Sequence, residues 1–140
     1  MITQGQFIFG MVLWLAAIID WKTKEVPDDI SLICWIIGII QLTEIPEFTT
    51  HIIATILIGL ITLIIHYKNL WGGADTKIYP SIALMLGLNN ILTWFLGITI
   101  VVSIPYILYY KFCTKEKTIP FIPVFAIAYT ITILSIAPTK

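Results

Sequence analysis

Six apolar segments separated by short polar breaks constrain the fold of this chain more than any other feature. They cover residues 6–19, 30–42, 51–67, 78–88, 91–112 and 119–137. Only 11% of the 140 residues are charged, less than half of the roughly one quarter that is usual in a soluble domain. So few charges cannot cover a surface in water, and lipid is therefore the expected solvent.

The segments lack the alternating pattern of a transmembrane barrel and are therefore predicted to be helices, because backbone groups in hydrocarbon must bond within the chain. The second and fourth segments fall short of the roughly 20 residues that cross a bilayer. Shielding by neighbours or extension by their polar ends would still allow them to span. The prediction is one domain, residues 1–140, an all-α integral membrane bundle of about six transmembrane helices. Four helices with two re-entrant segments are the alternative.

The lysines predict the orientation of this bundle. All eight basic residues are lysines, and all but Lys140 follow predicted helices one, three and five. They are Lys22, Lys24, Lys68, Lys77, Lys111, Lys115 and Lys117. With six spans these connections share one side, and the opposite connections contain no lysine. The positive-inside rule places the lysine side in the cytoplasm, and both termini then lie outside.

Several functional classes are disfavoured by composition. A net charge of zero argues against nucleic-acid binding, which needs a basic face. Cys34 and Cys113 lie in separate apolar surroundings, and His51 and His66 are isolated, so no metal or other cofactor is expected. The first apolar segment lacks a basic start and ends at Asp20, which predicts a retained helix instead of a cleaved signal peptide.

Asp20 and Asp75 are the acidic residues of greatest interest. Asp20 directly follows the apolar run LWLAAII, and Asp75 lies in a glycine-rich turn before the fourth segment. Charged groups beside membrane helices are costly and usually functional. The predicted topology puts both at the cytoplasmic ends of their helices, so the carboxylates can meet if helices one and four are neighbours.

Two adjacent carboxylates share one proton, because both cannot easily ionise at close range. The ionised member can activate a water for attack on a peptide carbonyl, and the protonated member can donate to the carbonyl oxygen. The helix macrodipoles favour Asp75, at a helix start, as the ionised member, and Asp20, at a helix end, as the proton carrier. Lys77 would add to this bias.

Other interpretations exist for these residues and for the chain. Asp20 alone could be an interfacial anchor, and Asp75 alone could be the N-cap of helix four. Asp28 and Asp29 are expected to cap helix two. The chain could also be a proton- or ion-coupled transporter subunit, although that function requires carboxylates near the bilayer midplane. A catalytically silent membrane assembly scaffold is a further alternative.

Three motifs together resemble the prepilin and preflagellin peptidases, the type IV leader peptidase family of membrane aspartic peptidases. They are DWKTKEVPD at 20–28, GGADTK at 72–77 and IPFIP at 119–123, in the order of the family. The second motif resembles G-x-G-D, but Ala74 replaces the second glycine. We expect an ordinary backbone conformation there.

The resemblance implies an endopeptidase in which Asp20 and Asp75 are the catalytic pair. It implies that the enzyme removes a short basic leader from type IV prepilin, preflagellin (archaellin) or pseudopilin precursors, just before a hydrophobic helix. The cut would lie at the cytoplasmic face of the plasma membrane. The precursor proteins and the lipid bilayer would be the partners.

The resemblance also implies secondary roles and a compact form. The residues expected to shape the site are Gly72, Gly73, Ala74 and Lys77. Asp28 and Asp29 are available to recognise the basic leader. Many bacterial members carry a cysteine-rich segment before helix one; this sequence begins at helix one, so a peptidase-only form is expected.

Overall fold

The computed structural model describes residues 3–68, 72–114 and 119–136, and all of its regular structure is helical. Six α-helices follow one another in the described residues. They are α1 (Gln4–Thr23), α2 (Asp28–Leu42), α3 (Phe48–Tyr67), α4 (Gly73–Leu86), α5 (Asn90–Cys113) and α6 (Ile122–Ile136). The predicted all-helical architecture is confirmed for this part of the chain. The predictions for Lys115, Lys117 and Lys140 fall outside the described residues.

Three of these helices are long and apolar enough to cross a membrane. They are α1 and α3, with 20 residues each, and α5, with 24, whereas α6 is a shorter apolar helix. Large apolar side chains are exposed along all three long helices, as expected of surfaces that face lipid. The number of helices that cross, and the side on which the termini lie, remain predictions.

Successive helices run in opposite directions, as contacts at one end of the bundle show. The Thr3 hydroxyl, at the start of α1, donates to Gln41 Oε1 near the end of α2 at 3.2 Å. His51 Nδ1, near the start of α3, lies 2.8 Å from the Leu84 carbonyl oxygen near the end of α4. This end therefore joins the odd helix starts to the even helix ends.

The opposite end joins the odd helix ends to the even helix starts, and we call it the aspartate end because Asp20 and Asp75 both lie there. Lys77, near the start of α4, forms an ion pair with Asp28 at the start of α2. Lys24, which ends α1, lies with its Nζ 3.3 Å from the Tyr110 hydroxyl near the end of α5. The predicted placement of the two aspartates at one end is confirmed.

Helix α4 lies inside the bundle. Every residue from Ile78 to Leu86 is buried, and the helix packs mainly against α3 and α2. This shielding explains how so short a helix, with only 14 residues, is accommodated, because its backbone and side chains are covered by protein. Helix α6 packs between α1 and α5.

The start of α4 differs from the predicted start. The helix begins at Gly73 with Gly72 as N-cap, so Asp75 lies within its first turn and not in a preceding turn. Ala74 is the second helical residue, and among the described residues only Lys24 and Gly87 have positive φ. The expectation of an ordinary conformation at Ala74 is therefore confirmed.

Gly87, which ends α4, provides a test of this packing. Its φ is +74°, and a Cβ there would lie 2.6 Å from His51 Nε2. The His51 ring has little freedom to move away, because its Nδ1 contacts the Leu84 carbonyl oxygen. Gly87→Ala should lower the melting temperature in detergent, because left-handed strain alone costs about 1–2 kcal/mol. Gly97→Ala is the control: it lies within α5, its Cβ would meet nothing within 4 Å, and it should gain up to about 1 kcal/mol. Equal melting of Gly87→Ala and wild type would contradict this packing.

Candidate active site

Asp20 extends the buried face of α1 into the bundle. Phe9, Leu13, Ala16 and Ala17 precede it on that face, at the helical spacing of three or four residues. The Asp20 side chain is only 5% exposed. An ionisable group in such a place needs polar partners, because an unpaired buried charge is costly.

The main partner of Asp20 comes from the other end of the chain. Asp20 Oδ2 accepts a hydrogen bond from the Ile122 backbone N–H at 3.2 Å, and Ile122 is the first residue of α6. The first N–H groups of a helix have no partner within that helix. Asp20 therefore caps α6 and lies at its positive end, where a negative charge is favoured.

Asp75 has its own backbone partner within the second motif. Its side chain is 6% exposed, and its Oδ2 accepts a hydrogen bond from the Gly72 N–H at 3.3 Å. The N-cap of α4 is Gly72, so the suggestion of Asp75 as N-cap is wrong in position. Asp75 is instead the third helical residue, from which a carboxylate can accept a hydrogen bond from the backbone N–H of the N-cap residue.

The two carboxylates interact electrostatically at the aspartate end. Burial, together with the nearby Asp20 carboxylate, raises the pKa of Asp75 to about 7, and the Gly72 N–H opposes this shift. Helix α1 packs mainly against α6 and α2, and α4 mainly against α3 and α2. Helix α2 thus contacts both helices that carry the pair.

The raised pKa of Asp75 runs against the prediction from helix dipoles that Asp75 is the ionised member; which member of the pair carries the proton stays a prediction. The α1 dipole contributes only about 0.3–1 kcal/mol, and the positive end of α6, with the Ile122 N–H, opposes it. The positive charge of Lys24 also acts on Asp20. Lys77 pairs with Asp28 instead.

Lys24 is held beside Asp20 by an unusual turn. Its φ of 60° is left-handed, and its N–H donates to the Asp20 carbonyl at 2.9 Å. The ammonium lies 5.0 Å from the Tyr110 ring centroid and 5.9 Å from that of Trp21. Such cation–π contacts are worth about 0.5–2 kcal/mol and keep this charge at the site.

A cluster of aromatic side chains, which we call the aromatic wall, adjoins Asp20 and consists of Trp21, Tyr106 and Tyr110. No sequence pattern had predicted this cluster. The Tyr106 ring centroid lies 6.1 Å from that of Trp21 and 5.1 Å from that of Tyr110. The Tyr106 hydroxyl donates to the Pro120 carbonyl at 2.7 Å, which ties α5 to the third motif. The one available signal was the spacing of two tyrosines by four residues at the lysine-bearing end of helix five.

The glycines of the second motif leave open space in front of Asp75. Both are exposed, and a Cβ at Gly73 would meet nothing within 4 Å, whereas one at Gly72 would lie 3.5 Å from Asp75 Oδ2. A peptide backbone could therefore approach here closely. This geometry agrees with the predicted site-shaping role of the loop, which remains a prediction.

The remaining predicted residues lie at the rim of the aspartate end. Lys77 is half exposed and pairs with Asp28, so it joins the starts of α4 and α2. The N-cap of α2 is Pro27; Asp28 and Asp29 follow in the first turn, where they suit the helix dipole but are not the N-cap that was predicted. Within the described residues, no group of three or more His, Cys, Asp or Glu side chains could hold a metal.

Comparison with known families assigns the chain to one of them. The sequence model of the type IV leader peptidase family matches residues 7–136, which include all three motifs. The chain therefore belongs to the type IV leader peptidase family, and the resemblance inferred from its sequence is confirmed. No curated protein matches the chain, and no solved structure does.

The raised pKa of Asp75 predicts how stability depends on pH. The folded protein keeps this proton up to about pH 7, whereas an unfolded aspartate releases it near pH 3.9. Wild-type stability should therefore fall as the pH rises from about 4 to 7. Asp75→Asn removes this loss, so its melting temperature in detergent should exceed that of wild type at pH 8, and the excess should shrink toward pH 4.

Glu44→Gln is the control for this measurement, since it neutralises an exposed carboxylate at the opposite end of the bundle. Its melting temperature should follow that of wild type across the pH range. An Asp75→Asn curve parallel to that of wild type at every pH would contradict the assignment of the proton to Asp75.

Proposed function

We propose that this chain is an aspartic endopeptidase that removes the short basic leader from type IV prepilin, preflagellin (archaellin) or pseudopilin precursors. Membership of the type IV leader peptidase family supports leader-peptide cleavage. The observation that carries the aspartic mechanism is the placement of two buried carboxylates, Asp20 and Asp75, at the same end of the bundle.

In the proposed reaction the ionised Asp20 takes a proton from water, and the resulting hydroxide oxygen bonds to the scissile carbonyl carbon. Asp75 gives its proton to the carbonyl oxygen, which avoids a free negative charge in a buried site. The C–N bond then breaks as Asp20 passes its proton to the leaving amine, and the hydroxyl proton returns to Asp75. The pair is thereby restored.

The surroundings of the two residues favour different protonation states. The Ile122 N–H and the Lys24 charge favour the ionised form of Asp20. The Asp20 charge in turn favours the protonated form of Asp75. These surroundings support Asp20 as the base and Asp75 as the acid.

Substrate entry is proposed at the cytoplasmic face, on the open side of the Gly72–Gly73 turn. The lysines near this end follow the positive-inside rule. Asp29 is exposed in the first turn of α2, and Asp28 forms an ion pair with Lys77. Both remain proposed contacts for the basic leader.

Neither alternative function gains a supporting observation. A proton-coupled transporter would place its carboxylates midway along the helices, and here they lie at helix termini. Ala74 was the reason to consider a silent scaffold, and it fits into α4 without positive φ.

Cleavage by asparagine variants tests the proposed pair. Asp20→Asn and Asp75→Asn should each reduce processing by about 10²–10⁴-fold, the usual contribution of general acid–base groups. The asparagine carbonyl can still accept the Ile122 or Gly72 N–H, so the fold should persist. The measurement is the gel shift of type IV pilin-like or archaellin precursors from the same genome, co-expressed with each variant.

Glu44→Gln is again the matched control and should process like wild type. Near wild-type processing by either aspartate variant would contradict the assignment of Asp20 and Asp75 as the catalytic pair. Failure of wild type to cleave any such precursor would sink the proposed substrate class.

Because the Gly72–Gly73 turn is open, Gly73→Ala should lower processing without lowering stability. A Cβ there contacts nothing within 4 Å, and alanine is the better helix former, so the melting temperature should be equal or higher. Processing should nonetheless fall by about tenfold, because a misplaced or blocked substrate backbone loses productive geometry. Gly97→Ala, equally open but in α5, should leave processing unchanged. If Gly73→Ala matches that control, the turn does not contact the substrate.

A further inference from the structure

The first turn of α6 leaves one backbone donor for Asp20. Pro123, the second residue of the helix, has no N–H group, and the N–H groups of the two residues after it donate to the Phe121 carbonyl at 3.0 and 3.4 Å. The remaining donor of this turn is the Ile122 N–H, which lies 3.2 Å from Asp20 Oδ2. The position of a single N–H group therefore decides how well the Asp20 carboxylate is held.

The backbone that carries this donor enters α6 from an irregular segment. Residues 119–121 lie outside regular secondary structure. The Pro120 carbonyl and the Ile122 N–H belong to consecutive peptide units, and because each unit is planar, only φ and ψ of Phe121 lie between them. Contacts that fix the Pro120 carbonyl and the Phe121 side chain therefore also fix the direction of the Ile122 N–H.

Tyr106 makes both of these contacts from α5. Its hydroxyl donates to the Pro120 carbonyl oxygen at 2.7 Å, a usual length for a bond between two oxygens. Its ring centroid lies 6.5 Å from that of Phe121. Trp21 and Tyr110 also pack against the Tyr106 ring, so side chains of α1 and α5 keep the hydroxyl in place.

The Tyr106 hydroxyl belongs to the aspartate end, beside the candidate pair. It lies within electrostatic reach of both Asp20 and Asp75. Tyr129 offers a comparison, because its hydroxyl also donates to a backbone carbonyl, that of Gln6, at 3.1 Å. That bond lies toward the opposite end of the bundle, so the same type of contact occurs once near the pair and once far from it.

We propose that Tyr106 is a positioning residue for the candidate base. It fixes the segment of Pro120 and Phe121 so that the Ile122 N–H points at Asp20 and favours the ionised form of that carboxylate. This inference rests on the proposed aspartic mechanism, in which the ionised Asp20 takes a proton from water. The influence of Tyr106 passes through the backbone of Phe121 and needs no contact with the substrate.

Replacing Tyr106 by phenylalanine removes a neutral hydroxyl and no charge. The charged and titratable groups around Asp20 therefore stay in place. Helix α6 contains one titratable side chain, Tyr129. The groups that the other neighbouring helices contribute are Lys24 on α1, Asp75 on α4, Tyr110 on α5, and Cys34 and the paired Asp28 on α2.

The Ile122 amide reports this contact without any cleavage. In protein that carries Asp75→Asn and isotope-labelled isoleucine, the proton shift of the amide lost in Ile122→Val should follow the titration of Asp20 in detergent micelles. Tyr106→Phe should raise the midpoint by about one pH unit, as expected when a hydrogen bond to an ionised group weakens. Tyr129→Phe is the matched control and should leave the midpoint unchanged.

A second variant separates the backbone route from a direct effect of the hydroxyl. Phe121→Leu loosens the same segment and keeps the tyrosine, so it should also raise the midpoint. An unchanged midpoint in Phe121→Leu would assign the effect to the hydroxyl itself and overturn the role of the segment. No rise in Tyr106→Phe, or an equal rise in Tyr129→Phe, would overturn the proposal as well.

The rate of cleavage provides an independent measurement. In protein with both aspartates, Tyr106→Phe should move the acidic limb of the pH profile of kcat/KM to higher pH, because this profile reports the ionisation of the free enzyme. Tyr129→Phe should keep the wild-type profile, and a wild-type profile in Tyr106→Phe would refute the positioning role. Since the amide titration needs no substrate, failure of wild type to cleave a precursor is distinguished from failure of this inference.

Discussion

The hydrogen bond between the Asp20 carboxylate and the Ile122 N–H is the contact on which the aspartate end depends. It satisfies two groups that would each be costly if buried alone: an acidic side chain and the unpaired start of a helix. Because the partners belong to the first and last helices, the same bond holds α1 against α6. Their pairing explains how an ionisable group can remain 5% exposed inside an otherwise apolar bundle.

The three sequence motifs act as one unit around that contact. The first contributes Asp20 and the left-handed turn at Lys24, and the third contributes the backbone donor. The second contributes Asp75, which accepts the Gly72 N–H at the start of its own helix. Each carboxylate is thus held by the beginning of a helix, and helix α2, which contacts both α1 and α4, connects the two halves.

The aromatic wall makes the electrostatic surroundings of Asp20 differ from those of Asp75. Trp21 and Tyr110 hold the Lys24 ammonium beside Asp20, while Lys77 is directed to Asp28 at the rim. Two chemically identical side chains at similar burial therefore have different electrostatic surroundings. The proposed division of the roles of base and acid requires such a difference, and here it arises from neighbours on other helices.

The helical architecture, the shared end of the two aspartates and the family could all be predicted from the sequence, because hydrophobicity, lysine placement and motif order are properties of local segments. The contact between Asp20 and Ile122 and the aromatic wall could not, since their members lie far apart along the chain. The electrostatic surroundings of Asp20 show the difference most clearly. The dipole of α1 alone favoured Asp20 as the proton carrier, and packing then placed the positive end of α6 against the same carboxylate, which only the arrangement of helices in space could decide.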